Sequence, residues 1–311
     1  MPYIFEQNGS FRDRDGRLYL SATEATSASP EFDGQINSPE SPHIIKFFSD
    51  NYMPIIKMAG INQSDARILE IGAGLGALAY GTLSTFTPLS YVATDIFPIL
   101  IDEMSNNLSK WSRSETCAAL LDPNDRLSFE FNYFNIIQSH SVFHHVADYR
   151  TAIANLFDRL RTPGVLIIAE PSADGYALLC MLVRSMQLHN IYAPEKFSEL
   201  YLNTLKKLVN NLADRLSHAN DVNYLRKYGH GDKHIFSVYD LVDLACSLKA
   251  RLHIQREHRS FFGGTRFQLT SRSANELDIR LTEELIRNLE PVGVQNAVFN
   301  DMRIIAAFIK S

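Results

Sequence analysis

The residues best placed to do chemistry are the acidic and glycine residues of Glu70-Ile71-Gly72-Ala73-Gly74-Leu75-Gly76 and the isolated carboxylate of Asp95. The apolar run Arg67-Ile68-Leu69-Glu70-Ile71 reads as a buried strand, and the glycines after it read as a turn that opens a helix. Glycines at such a turn let backbone amides come close to a ligand that side chains would hold away. Nineteen positions after Gly76, the run Tyr91-Val92-Ala93-Thr94 ends in Asp95. A carboxylate at the tip of a second strand is placed to accept from two ribose hydroxyls. The pair of features describes a βαβ unit for an adenosine-containing cofactor.

The spacing of the turn narrows the choice. A dinucleotide site wants G-x-G-x-x-G/A, with the pyrophosphate at a helix N-terminus. Here the third glycine follows after one residue, although Ala77 can stand in for the last small position. Glu70, two places before the first glycine, repels a pyrophosphate and suits a cationic amine or sulfonium. The pattern E-x-G-x-G-x-G resembles the first motif of the class I S-adenosylmethionine-dependent methyltransferases. An NAD-binding oxidoreductase is the competing reading of the same turn, and a glycine turn without a ligand is the plain one.

Further segments extend the resemblance over residues 60–171. A helical stretch spans Phe97 to Trp111, and an apolar strand, Thr116 to Leu121, ends at Asp122. Tyr133 to Val146 is similar to the family's fourth strand and its "LHH" loop. A helix from about Asp148 to Arg161, a turn at Thr162-Pro163-Gly164 and a fifth strand, Val165 to Ala169, closed by Glu170-Pro171, complete the series. Strands alternating with helices imply a parallel sheet covered on both faces. The sequence departs from the family in Asn135, where an Asp is usual, and in Val165, where a glycine is usual.

The resemblance implies roles. Gly72, Ala73, Gly74 and Gly76 would shape the loop around the methionine part. Glu70 would orient that part through its amino group or a loop amide. Asp95 would bind the ribose, and Asp122 would accept from the adenine amino group, with Ile96 and Pro123 against the ring. Ser139 and His140 would offer backbone groups to the methionine end. Histidine titrates near neutral pH, so His144 ranks first, His145 second and His234 third as a base, each against a plain structural role. Glu170 is a further candidate to orient an acceptor. No metal is expected, because a zinc site from His140, His144 and His145 would need helix at a strand-to-loop junction.

The elements that must hold these residues divide the chain into four parts. Residues 1–42 form an extension with short strands around Asn8-Gly9 and Asp15-Gly16, then a Ser/Thr/Pro-rich loop. Residues 43–171 form the cofactor-binding core, led by a helix from His43 to Met58 with Ile44, Ile45, Phe48, Tyr52, Ile55 and Ile56 on one face. Residues 172–232 form an inserted helical cap, with an apolar helix from Tyr176 to Met186. A second, amphipathic helix follows, on which Phe197, Leu200, Tyr201, Leu205, Leu208, Val209, Leu212 and Leu216 recur. The cap reads equally as a lid and as a packing or homodimer surface. Residues 233–311 return to the sheet through a Ser237–Asp240 capping box, strands at Leu252–His258 and Met302–Ile309, and a helix near Leu281–Leu289. The fold class is therefore α/β: a Rossmann-like, seven-stranded, mostly parallel sheet with helices on both faces and an inserted cap.

Composition agrees with an enzyme of the cytoplasm. The net charge is −5 over 311 residues, with 30 Lys and Arg against 35 Asp and Glu, and basic blocks are missing. Nucleic acid is not expected as a partner, since phosphate neutralisation needs a basic face. Three isolated cysteines read as reduced thiols. The opening residues lack a signal-peptide pattern, and no apolar run approaches a membrane span. The expected activity is methyl transfer to oxygen, nitrogen or carbon of a small apolar or aromatic metabolite, as in specialised metabolism. The alternative from another class is a catalytically silent partner subunit with this fold.

Overall fold

The computed structural model describes residues 11–12, 17–20, 39–112, 114–125, 127–218, 221, 223–224, 231, 233–256, 266, 269–273, 275–296 and 303–311. The described residues divide into two compact units. One comprises residues 1–169, 241–254 and 305–311; the other comprises 170–240 and 255–304.

The first unit is built on a sheet. Its strands are β1 (Phe11–Arg12), β2 (Leu18–Tyr19), β3 (Arg67–Ile71), β4 (Ser90–Asp95), β5 (Glu115–Leu120), β6 (Phe134–His140), β7 (Leu160–Pro171), β8 (Arg251–Arg256) and β9 (Arg303–Lys310), in the order β1-β2-β5-β4-β3-β6-β7-β9-β8. Strands β5, β4, β3, β6 and β7 are mutually parallel. Seven of the nine are the strands of the expected sheet, and the other two are short strands of the N-terminal extension, expected there but not as part of this sheet. The two short strands from the N-terminal extension add an edge, with β2 parallel to β5 and β1 antiparallel to β2.

Between the strands lie α1 (Pro42–Asn51), α2 (Met53–Met58), α3 (Ala77–Thr85), α4 (Pro98–Trp111) and α5 (Tyr149–Phe157). The expected single helix from His43 to Met58 is broken at Tyr52. Pro54 lies in the first turn of α2, where its missing N–H is harmless, but it cannot continue α1. Phe48, Tyr52, Ile55 and Ile56 are nevertheless buried together with Ile68, Leu78, Tyr91, Ile136, Val165 and Ile305 in the main core.

Strand β7 corrects a boundary. The helix before it ends at Phe157 rather than near Arg161, and β7 starts at Leu160, ahead of the expected turn. Phe134 pairs with Leu160 but Ile136 pairs with Val165, so residues 161–164 bulge out of register while the strand continues. The turn chemistry of Thr162-Pro163-Gly164 is therefore spent on a bulge inside a strand. Asn135, at the same irregularity, accepts from the Arg67 amide at 3.0 Å and so anchors the start of β3. An amide oxygen does this as well as a carboxylate.

The second unit holds α6 (Ala173–Tyr192), α7 (Glu199–Ser217) and α9 (Glu276–Asn296); α8 (Val238–Leu248) begins in it and ends in the first. Leu178, Leu179, Leu182, Val183 and Met186 of α6 pack with Phe197, Tyr201 and Leu205, and with Leu281 and Ile286 of α9. Leu200 leaves the expected stripe and is 68 % exposed. Tyr201, buried beside it, donates toward the Leu269 carbonyl, and that turns Leu200 outward. The side chains of Leu212 and Leu216 lie outside the described residues. The Ser237–Asp240 capping box forms as expected: the Asp240 amide donates to Ser237 Oγ at 3.1 Å and the Ser237 amide to Asp240 Oδ2 at 3.3 Å.

Candidate functional site

β3 runs into the glycine turn as its sequence requires. Gly72, Gly74 and Gly76 have φ of 65°, 55° and 97°, in the left-handed region. A Cβ at Gly72 would stand directly against Val142 Cγ2, and one at Gly76 would lie 2.7 Å from the Trp111 ring. At Gly74 a Cβ would meet nothing within 4 Å. The turn is closed on two sides by packing and open above its centre.

Asp95, at the tip of β4, clasps the turn. Its Oδ2 accepts from the Gly74 amide at 2.9 Å and its Oδ1 from the Phe97 amide at 3.1 Å. Burial raises its pKa, opposed by those amides. The Ala73 amide donates to the Thr94 carbonyl at 2.8 Å, and the Gly76 amide to the Ala73 carbonyl at 2.8 Å. The amides of Ala73, Gly74 and Gly76 are thus committed inside the protein.

Glu70 meets no loop amide, one of the two parts the resemblance implies for it. On β3 its side chain shares the face of Ile68 and lies among core groups, because strand side chains alternate. The Tyr91 hydroxyl donates to its carboxylate, and burial pushes its pKa up to about 8. Gln138 Nε2 donates to the Tyr91 hydroxyl at 2.9 Å and to Thr82 Oγ1 at 2.9 Å. Thr94 Oγ1 donates to the Glu70 carbonyl at 2.7 Å. The loop amide expected to meet Glu70 meets Asp95 instead. Tyr91, Gln138 and Thr82 were not legible as site residues, although a glutamine inside the apolar strand Phe134–His140 was a signal.

Ser139 lies beside the turn, since it pairs with Ile71 across β6 and β3. Its carbonyl accepts from the Tyr52 hydroxyl at 2.8 Å, so part of the backbone expected to face a ligand is engaged. Its own Oγ is buried without a hydrogen-bond partner. A buried unpaired hydroxyl costs about 1–3 kcal/mol, which marks this end of β6 as a place where a ligand group fits. His140 follows, edge-on to Phe47 with ring centroids 5.2 Å apart. Ala73 and Pro123 are buried and Ile96 is half-buried. Asp122 Oδ1 accepts from the Asn124 amide at 2.8 Å, closing a tight turn after β5.

His144 and His145 sit on a single turn of 3₁₀ helix, Phe143–His145, that follows Val142. Because Val142 packs on Gly72, this turn is held beside the glycine loop. His144 is buried and His145 exposed, with ring centroids 3.9 Å apart. His234 belongs to the second compact unit, where its ring lies 6.5 Å from that of Phe236. Among the described residues, no group of three His, Cys, Asp or Glu side chains could hold a metal ion. Nor is any described helix long and apolar enough to cross a membrane.

This fold and this loop define a class, and residues 69–166 match the family model for a methyltransferase domain. The segment is therefore a methyltransferase domain. Among proteins of known description, the chain is similar to a highly reducing polyketide synthase of Neocamarosporium betae, 29 % identical over 126 residues. It is also similar to a reducing polyketide synthase of Preussia isomera, 30 % identical over 105 residues. Those matches cover 39 % and 33 % of this chain, and the chain spans about 4 % of each relative's length. Among solved structures it shares the fold of a Galdieria sulphuraria protein described as a candidate sarcosine dimethylglycine methyltransferase. That match has a TM-score of 0.50 and 15 % identity, over 86 % of each chain.

Proposed function

We propose that this protein is an S-adenosylmethionine-dependent methyltransferase acting on a small, apolar acceptor of polyketide type. The observation that carries the reading is the glycine turn itself. It is open over Gly74, clasped by a buried carboxylate, and has the Ala73, Gly74 and Gly76 amides already engaged. The residues present fit the cofactor: Asp95 suits vicinal hydroxyls, and Ser139 Oγ is an unused polar group beside the turn.

When bound, S-adenosyl-L-methionine supplies a methyl group activated by its positive sulfur. Glycines 72, 74 and 76 give the turn its positive φ angles and leave it open over Gly74. Asp95 fixes that turn to the tip of β4 and accepts from the ribose. Asp122, with Ile96 and Pro123, binds the adenine end. Alignment then provides most of the barrier reduction. His144, held beside the turn by Val142, takes a proton from the acceptor where one must leave. His145, exposed and tilted against it, is the second candidate. Polyketide chemistry points to oxygen or an acidic carbon as the accepting atom, and the similarity to polyketide synthases supports it.

Isothermal titration with S-adenosylhomocysteine tests the reading, and folded protein that binds none would overturn it. Asp95→Ala is expected to weaken that binding at least tenfold, since it removes the ribose acceptor and the Gly74 anchor together. Unchanged affinity would show that the ribose lies elsewhere. His144→Ala is expected to lower turnover about a hundredfold, in the range of a lost general base, with cofactor affinity nearly unchanged. The reverse pattern would make His144 a binding residue.

A further inference from the structure

The N-terminal segment 17–20 lies outside the matched methyltransferase segment, yet it is tied to the far end of the cofactor site. Leu18, Tyr19 and Leu20 are buried, and Tyr19 pairs with Leu120 at the tip of β5. Leu20 makes two backbone bonds with opposite ends of one loop. Its amide donates to the Leu120 carbonyl at 2.8 Å, and its carbonyl accepts from the Ser128 amide at 2.9 Å. Asp122 and Pro123 lie between those two points. On the loop's inner side the Leu121 amide donates to the Asp95 carbonyl at 3.0 Å. Residues 121–125 and 127–128 are therefore stapled to β4 on one side and to Leu20 on the other.

Two side-chain contacts fix the staple. Tyr19 packs with Leu120 and with Ile101 of α4. Arg17 meets Asp102 of α4 with both prongs, Nε to Oδ1 at 2.8 Å and Nη2 to Oδ2 at 2.7 Å. The Arg17 guanidinium holds the Asp102 carboxyl below its usual range. Such a fork fixes orientation as well as distance. Without β1 and β2 the sheet would have β5 as an open edge, and the loop after it would be held at its start alone.

We propose that residues 17–20 are the positioning wall of the adenine subsite: Leu20 latches both ends of the Asp122–Pro123 loop and so sets its selectivity for the adenine ring. The proposal rests on the cofactor reading above and assigns a task to a part of the chain outside the core fold. Its ligand chemistry is an aminopurine, recognised through its exocyclic amine, and the loop must stay in place for that recognition to discriminate.

The experiment compares S-adenosylhomocysteine with S-inosylhomocysteine, which lacks the exocyclic amine, by titration calorimetry on the full chain. Leu20→Pro removes the amide that holds the Leu120 carbonyl. It is expected to weaken S-adenosylhomocysteine at least tenfold and to bring the two affinities within about twofold of each other. Arg17→Glu, which sets two carboxylates against each other, is expected to act in the same direction. The exchange Arg17→Glu with Asp102→Arg is expected to restore most of the discrimination, and this pair decides the matter should Leu20→Pro fail to fold. Equal weakening of both ligands, or a preference for the adenine compound as large as in the wild type, would overturn the proposal. Absence of any S-adenosylhomocysteine binding by the wild-type protein would strike the cofactor reading instead.

Discussion

Gly72→Ala is expected to lower affinity for S-adenosylhomocysteine by about thirtyfold or more and to lower thermal stability as well. Two physical costs meet at this position. The backbone sits at φ 65°, where a Cβ costs about 1–2 kcal/mol. That Cβ would also be driven into the Val142 side chain, and forced overpacking costs typically about 1–3 kcal/mol. The turn can relieve both by moving away from Asp95, which releases the Gly74 amide and opens the ribose subsite. Adding Val142→Ala is expected to recover part of the loss, because it removes the steric cost and leaves the torsional one. Gly74→Ala provides the contrast. It too has positive φ, but nothing stands within 4 Å of its Cβ. Its melting temperature is expected to fall less than that of Gly72→Ala, by the torsional cost alone, while its affinity falls sharply, because the methyl enters the space left for the ligand. Wild-type affinity and melting temperature in Gly72→Ala would show that the turn is not held as the structure has it.

Replacing Glu70 with Gln is expected to flatten the dependence of stability on pH. Burial holds this carboxyl at a pKa of about 8 in the fold, against 4.5 ordinarily. The folded state therefore keeps a proton that the unfolded chain has lost. The favourable contribution is complete below about pH 4.5, and it is lost as pH rises through about 8. The slope of that loss is at most about 1.4 kcal/mol per pH unit, and a few kcal/mol in all is the expected scale. Glu70→Gln keeps the shape and an oxygen to accept from Tyr91 but has no proton to lose. Thermal unfolding of both proteins between pH 5 and 9 should show the wild type falling more steeply. Parallel curves would mean that Glu70 is ionised, or solvated, in the folded protein.

Both predictions bear on one end of β3, but the sequence exposed them unequally. The glycine turn was readable because its cause is local: three glycines at alternate positions after an apolar strand admit few backbone paths. Asp95 was readable for the same reason, standing as a lone carboxylate at the end of an apolar run. Glu70 was misplaced because its motif carries no information on which face of β3 it occupies or what waits there. Tyr91 is 21 residues away and Gln138 is a further 47. Only the packing of β4 and β6 on either side of β3 brings their polar groups to it.

The same division runs through the whole chain. Periodicity and punctuation, acting over ten or twenty residues, determined the alternation of strands and helices, the cofactor turn and the capping box at Ser237. They could not foresee that Thr162-Pro163-Gly164 would bulge inside a strand, because the register belongs to the partner strand β6. Nor could they foresee that Leu200 would leave the stripe on which Tyr201 is buried. Leu20 is the clearest case: its role comes from a strand that begins about a hundred residues later. Local sequence selects elements through backbone sterics and hydrophobic period. Which polar group finds which partner is decided only when distant segments are packed, since a buried donor or acceptor must be satisfied by whatever the fold places beside it.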